Sequence, residues 1–540
     1  MATTKTDARR RKRALAIAAL ASLASVAVSS PAPAGSSHPQ PARVAGAKRA
    51  TSSDPCVPRE DTLGDCLSAA DVPIYLAGSS DFDSLSETYN VRLPYTPAVV
   101  VVPETVAHVE DAVSCAAQFS VPVQAKSGGH SYASYSTGGQ DGSMMIVLEN
   151  FQDVDLDPST GVVEVGGGLR LGNLALRIHG DGNARALSHG TCPGVGVGGH
   201  FTHGGFGFSS RAWGLAMDAV VGLDVVLANG TSAHCSSSEN SQLFWGMRGA
   251  AESFGVATRF YMQTREAPPA VVNFGIGLPG ASDPGAAASY FAHLQNFTRD
   301  APAVDRNLGV QMYMDRHGMS IGGTYLGSLS EFDAEIRPPL VAGLGADADV
   351  SATENSWLDS LAALGGAGSL GTPERGYDQH DNFYAKSLTI PALVPDSGLA
   401  AYFAFARGSD EGLSPPVEWF SIISLHGGRD SQIAARSGDE WGAYAHRDAV
   451  WVAQHYGYAA DASAPFPPSG IAFIDELNAV LPDAMPETQF GGYINYVDPT
   501  LGRDEAHDLY YGDDLTERLR AYKAVIDPDN VFANPQTFEP

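Results

Sequence analysis

Two glycine-rich segments constrain this chain more than any other feature. "KSGGHSYASYS" runs from Lys126 to Ser136, and "SHGTCPGVGVGGHFTHGGFGF" from Ser188 to Phe208. The first puts His130 directly after two glycines; the second sets Cys192 inside one of the densest glycine runs in the sequence. Glycine has no Cβ, so such loops let backbone amides come close to a ligand and cradle a pyrophosphate. "GVGVGG" meets G-x-G-x-x-G only out of register and lacks the strand-to-helix setting of a Rossmann fingerprint, and no Walker A lysine pattern is present. Two separate loops, one carrying a histidine and the other a cysteine, suit a large cofactor gripped from two sides.

Length and charge narrow the rest. At 540 residues the chain exceeds one ordinary hydrophobic core, so two domains are expected. Its composition, 44% hydrophobic and 17% charged, is that of a globular protein. A formal net charge of -28 at pH 7 repels nucleic-acid phosphates and anionic lipids and favours neutral or cationic small substrates. Neither nucleic acid nor membrane is an expected partner, and a monomer is expected. The 59 glycines show no fixed period, which argues against collagen-like and repeat architectures.

The N-terminus reads as an address. Arg9, Arg10, Arg11, Lys12 and Arg13 precede the apolar "ALAIAALASLASVAV", too short to span a bilayer comfortably, and Ala32-Pro33-Ala34 is a small-residue cleavage site. Residues 1–34 are therefore read as a signal peptide and 35–64 as a flexible segment, with Lys48-Arg49 a candidate dibasic processing site. A secreted, extracellular protein is expected. In an oxidising compartment Cys56, Cys66, Cys115, Cys192 and Cys235 are an odd set, so at least one is unpaired or otherwise consumed. Asn229 and Asn296 begin N-glycosylation triplets.

Between these signals the chain alternates strands and helices. "AVVVVP" from Ala98 predicts a buried strand, Val106, Val109, Val113 and Ala117 a helix, and "VPVQA" a second strand: a β-α-β unit that delivers the chain into the loop of His130. "SMMIVLENF" and "GVVEVGGG" predict further strands, Leu171 to His179 a helix, and "VVLANGTSAH" a hairpin with a primed turn at Asn229-Gly230. Near the end, Leu515, Leu519, Tyr522 and Ile526 share one face of a helix stopped by Pro528. No histidine grouping has metal-ligand spacing: His426, His446 and His455 stand apart from any carboxylate or cysteine cluster, and no metal is expected.

The two loops, together with "YINYVDP" near the C-terminus, resemble the berberine-bridge-enzyme-like group of FAD-linked oxidases in the vanillyl-alcohol-oxidase flavoprotein superfamily. Within that group the chain is most similar to the fungal glucooligosaccharide and chitooligosaccharide oxidases, from about Asp65 to the C-terminus. The resemblance implies an α+β, two-domain FAD-binding PCMH-type fold. Residues 65–267 would form the main FAD domain, 268–488 a substrate domain built on an antiparallel sheet flanked by helices, and 489–540 a return to the FAD domain. It implies bicovalent FAD, with His130 on the 8α-methyl carbon and Cys192 on the ring's 6-position. Ser127, Gly128, Gly129, Ser131, Gly194, Val195, Gly198, Gly199, Gly255, Val256 and Asn495 are the implied cofactor contacts, and Cys66–Cys115 the implied disulfide, with Cys56 and Cys235 left open.

Tyr496, the second tyrosine of "YINY", is the implied catalytic base for an anomeric hydroxyl; a phenol near pKa 10 needs help to serve at neutral pH. Tyr132 and Gln454 are implied substrate contacts. Trp419 offers a flat face for a sugar ring, with core packing as its alternative. Asp378 and Asp381 are acidic residues in a presumed groove, with solvated loop charges as the commoner explanation. One departure matters: the family carries an aspartate before "LHGG", thought to assist the base, and this chain has Ser424 there, with Ile422 where a glutamine can occur. Either another carboxylate substitutes, or rate, pH optimum or substrate differs. The implied activity is a secreted oxidase that turns oligosaccharides into lactones and oxygen into peroxide. A flavin oxidase of secondary metabolism and a non-catalytic secreted flavoprotein remain as alternatives.

Overall fold

The computed structural model describes residues 62–540 apart from 303, 346–347, 367, 378 and 409–416. The signal peptide, Lys48-Arg49, Cys56 and Asp378 lie outside the described residues.

The β-α-β expectation holds in its elements and changes in its pairing. Strands Val99–Val101 and Val123–Lys126 flank helix Val106–Gln118, but they are not neighbours: both pair in parallel with Met144–Val147, which lies between them. The helix starts where Thr105 accepts a hydrogen bond from the His108 amide at 3.2 Å, a side-chain cap. It buries Val109, Ala112, Val113 and Ala116 against Val99, Val101, Val123 and Ile146. A disulfide joins Cys66 to Cys115 and fastens helix Leu63–Ala69 to it. Cys235 is a free, buried thiol pushed up to about 12 by that burial.

A second, wholly antiparallel sheet follows in the order Val154–Leu156, Val162–Gly166, Val256–Gln263, Val220–Val226, Ser232–Ser236. Its last two strands form the expected hairpin, with a different turn. Gly230 alone of the pair has positive φ (+74°), and its amide donates to the Leu227 carbonyl at 2.9 Å, so the turn is not a primed one centred on Asn229-Gly230. Asn229 is exposed there; Asn296 is exposed too, toward the C-terminal end of helix Pro284–Asp300, while its Thr298 is buried. Helix Gly512–Ile526 packs Leu515, Leu519, Tyr522 and Ile526 into this sheet's core. Within it Lys523 is fully buried, donating to Asp527 at 2.6 Å and to the carbonyls of Ser253 and Phe532 at 2.8 Å.

The third sheet is the largest: seven antiparallel strands in the order Asp349–Asn355, Val271–Gly277, Met319–Tyr325, Leu308–Asp315, Val417–Leu425, Trp451–Ala459, Phe383–Ile390. Helices Pro284–Asp300, Asp396–Gly408 and Pro468–Ala484 share a core with one of its faces. Side chains alternate along a strand, so Val417–Leu425 sends Trp419, Ile423 and Leu425 to the helices and Phe420, Ile422 and Ser424 to the opposite face. Trp419 is 1% exposed, its ring 5.2 Å from Phe473. It is a core tryptophan, and the substrate role expected of it is corrected.

Buried arginines pin the units together. Arg211, in helix Ser210–Trp213, donates to the carbonyls of Gly427 (2.9 Å), Asp305 (2.8 Å), Arg429 (2.8 Å) and Leu308. Asp218 in turn holds Arg447 at 2.7 Å with its own carboxylate fully buried. These contacts fix the open face of the large sheet over the glycine-rich loops. Among the described residues, no helix is long and apolar enough to cross a membrane.

Candidate cofactor and active site

The glycines around His130 and Cys192 first serve the loops themselves. A Cβ on Gly128 would lie 2.2 Å from the Gly196 nitrogen, and one on Gly196 would lie 2.0 Å from that of Gly128. The two loops therefore meet backbone to backbone. Ser127 stitches them further, donating to Gly167 O at 2.7 Å and accepting from the Gly198 amide at 3.1 Å. Arg170, 5% exposed, gives one guanidinium nitrogen to both Gly128 O (2.8 Å) and Gly194 O (2.6 Å). Its plane lies over Tyr377 at 4.2 Å. No local pattern announces Arg170: its role depends on contacts with residues dozens of positions away.

Between these loops and the large sheet is a cleft with about 2170 Å³ of empty space, counting its open mouth. Its cavity volume proper, about 400 Å³, falls within the roughly 300–1,000 Å³ of an ordinary small-ligand pocket. Its walls include Ser127, Gly128, Gly129, His130, Ser131, Tyr132, Cys192, Val195, Gly199, Ser424, Gln454, Asn495 and Tyr496, brought together from five distant stretches. Gly194 and Gly198 stand behind the wall as packing and hydrogen-bonding positions. Gly255 and Val256 do not line it: Gly255 packs on Val225, and Val256 is buried in the core of the first sheet. Among the described residues no cluster of His, Cys, Asp or Glu is arranged to hold a metal.

His130 stacks on Tyr89 (4.5 Å, 27°), and its Nε2 is buried without a hydrogen-bond partner among the described residues. Burial, helped by Arg170, His380 and Lys126, pushes its pKa down to about 3, so the ring is a neutral nucleophile. Cys192 opens onto the cleft, while the crowding around it raises its thiol pKa. At Gly199 a Cβ would meet nothing within 4 Å, so this lining position looks into empty space. An orphaned imidazole, an accessible thiol and an open cleft bordered by bare backbone fit a covalently held flavin.

Tyr496 ends a short turn, Ile494–Tyr496, and stacks face to face with Tyr132 (5.4 Å, 19°). Gln454 donates to the Tyr132 hydroxyl at 2.7 Å. Tyr493 is an anchor: its hydroxyl accepts from the amides of Gly205 and Phe206, both at 2.9 Å. Asn495 clips the same turn to His203 O at 2.8 Å. Burial, then Tyr493 and Cys192, push the Tyr496 phenol well above its ordinary pKa. Ser424 donates to Gln311 at 3.2 Å, so the position where a carboxylate was in question holds a neutral pair. His203 and Glu252, missed in the sequence, form a half-buried ion pair on the cleft wall. Asp381 is also corrected: it is buried, not a solvated loop charge.

Comparison with known proteins agrees with this geometry. Residues 97–236, which hold both loops, match the FAD binding domain family, and residues 492–538, which hold Tyr496, match the berberine and berberine-like family. The xylooligosaccharide oxidase of Thermothelomyces thermophilus is 38% identical over 88% of this chain and 94% of its own length. The chitooligosaccharide oxidase of Gibberella zeae is 38% identical over 89% of this chain and 95% of its own. The solved structure of glucooligosaccharide oxidase from Acremonium strictum, studied for its 6-S-cysteinyl, 8α-N1-histidyl FAD, superposes with a TM-score of 0.83 at 34% identity, covering 88% of this chain and 99% of that one. The chain belongs to the berberine-bridge-enzyme-like family of FAD-linked oxidoreductases. It is a flavoenzyme, its cofactor is FAD, and its fold is that of the oligosaccharide oxidase structures.

Proposed function

We propose that this protein is a secreted oxidase of oligosaccharides, converting the anomeric hydroxyl to a lactone and oxygen to hydrogen peroxide, with FAD attached through His130 and Cys192. The observation that carries the reading is the stacked Tyr496–Tyr132 pair, braced by Gln454, on the same open cleft as the histidine and the cysteine. FAD, when bound, supplies a two-electron acceptor that oxygen reoxidises. Tyr496, once ionised to phenolate, takes the hydroxyl proton as hydride leaves the same carbon, which leaves a carbonyl in the ring. Tyr132 and Gln454 orient the sugar, and the open mouth leaves room for further sugar units. Because the phenol is pushed up and the Ser424–Gln311 pair on the same cleft is neutral, proton abstraction has no carboxylate at position 424 to draw on.

The test is peroxide release from purified protein offered xylo-, cello- and chito-oligosaccharides and a panel of non-sugar alcohols. Peroxide with at least one saccharide series is expected, and with it Ser424→Asp raising turnover or lowering the pH optimum. A second reading, an FAD oxidase of non-sugar alcohols, is favoured by Ile422 and Ser424 on the cleft wall. Flavin reduction by such an alcohol and by no saccharide would establish it instead.

A further inference from the structure

A carboxylate does stand behind the cleft, though not at position 424. Asp381 is 4% exposed, and its two oxygens are engaged by a hydroxyl and an amide, neither a cation. Oδ2 accepts from the Tyr456 hydroxyl at 2.6 Å, and Oδ1 from the Asn382 amide at 2.8 Å. Burying a carboxylate on such terms is costly unless something depends on it. The backbone around it is fixed: the Asp381 amide donates to Tyr89 O at 2.8 Å, and the Val91 amide to Asp381 O at 3.0 Å. Asn90, between those two residues, donates to Tyr132 O at 2.8 Å. One short strap thus registers Asp381, Tyr89 and the loop of His130 against each other.

Tyr456 lines the cleft and is clamped between Phe383 (4.5 Å, 15°) and Phe420 (4.8 Å, 14°), with Tyr132 edge-on at 6.0 Å. A phenol owns one proton. Given to a carboxylate, which can only accept, that proton is withdrawn from the cleft, and the oxygen left behind is an acceptor alone. We propose that Asp381 is a positioning residue for substrate: it fixes the Tyr456 hydroxyl so that its oxygen accepts a hydrogen bond from a hydroxyl of the bound saccharide. This deepens the function proposed above and rests on it for the identity of the donor.

Asp381→Asn is the informative change, because the Asn382 amide keeps the carbonyl oxygen and the new NH2 donates to Tyr456. The phenol proton then turns toward the cleft and opposes a donor. The expected result is a KM for the best oligosaccharide raised on the order of ten-fold or more, with kcat within about three-fold and flavin content unchanged. Tyr456→Phe should raise KM similarly, and the double variant no further, because Asp381 acts only through Tyr456. An unchanged KM in Asp381→Asn, or additive effects in the double variant, overturns the proposal even if either single change lowers thermal stability. If only a non-sugar alcohol reduces the wild-type flavin, the sugar assignment fails, and the same comparison made with that alcohol still decides the role of Asp381.

Discussion

A tyrosine asked to take a proton needs a surrounding that tolerates the charge it gives up or gains, and Tyr496 has little of one. Its pKa is raised by burial and by Tyr493 and Cys192. Tyr496→Phe should therefore lower kcat by roughly 10²–10⁴-fold, the range for losing an acid-base group, with flavin content unaltered. Near-wild-type turnover would assign the proton to another group. The two tethers make a separate prediction: the flavin stays with the chain after acid denaturation, remains through one bond in His130→Ala or Cys192→Ala, and is extracted only when both are changed. Quantitative release from the wild type would sink it. At this scale the sequence was informative where chemistry is rare, in a histidine and a cysteine set among glycines. It misled where geometry decides. Trp419 and Ser424 are five positions apart on one strand, so a period of two sends them to opposite faces, and both could not meet substrate. Asp381 was misread because nothing in the neighbouring letters reveals that Tyr456, 75 positions on, covers it.

At the scale of elements, the loop of Cys192 is held as a fixed edge of the cleft. Val195 follows it, its amide donating to Cys192 O at 3.3 Å and its side chain lining the cavity. We propose that a residue so placed governs what can approach the ring after reduction. We expect Val195→Leu to slow reoxidation of the reduced enzyme by oxygen while leaving reduction by substrate intact, because one more methylene fills that approach. Stopped-flow mixing with oxygenated buffer reads both half-reactions; slow reoxidation of the wild type would make the enzyme a dehydrogenase. Helices were legible because capping and apolar spacing are local: Leu171–His179 falls where the pattern put it. Strand neighbours were not. Periodicity marks a strand without naming its partner, which is why Met144–Val147 came to lie between the two strands of the expected β-α-β unit.

For the molecule as a whole, buried histidines set a response to acid. Burial pushes His426 and His455 down to about 3, against about 6.5 in an unfolded chain. Between those values the unfolded state binds more protons, so stability rises with pH and is complete above about 6.5. His203 opposes this: burial lowers its pKa, Glu252 more than restores it, and its stabilising share is complete below about 6.5. The depressed histidines outnumber it, so the melting temperature should fall as pH drops from about 6.5 toward 4, and His455→Gln should make that fall shallower. A flat profile over that range in the wild type contradicts the account.

The cleft draws its last wall from residues 493 to 536, with Tyr493, Tyr496, Tyr510 and Gln536 among them, and the buried Lys523–Asp527 pair locks that stretch in place. A ribosome delivers these residues after the rest of the cleft. The pocket stays incomplete until they have emerged, so the flavin is acquired only by a chain that already carries residue 536. A chain stopped before residue 492 should emerge colourless however much flavin surrounds it, and absorbance of the purified fragment near the flavin bands is the check.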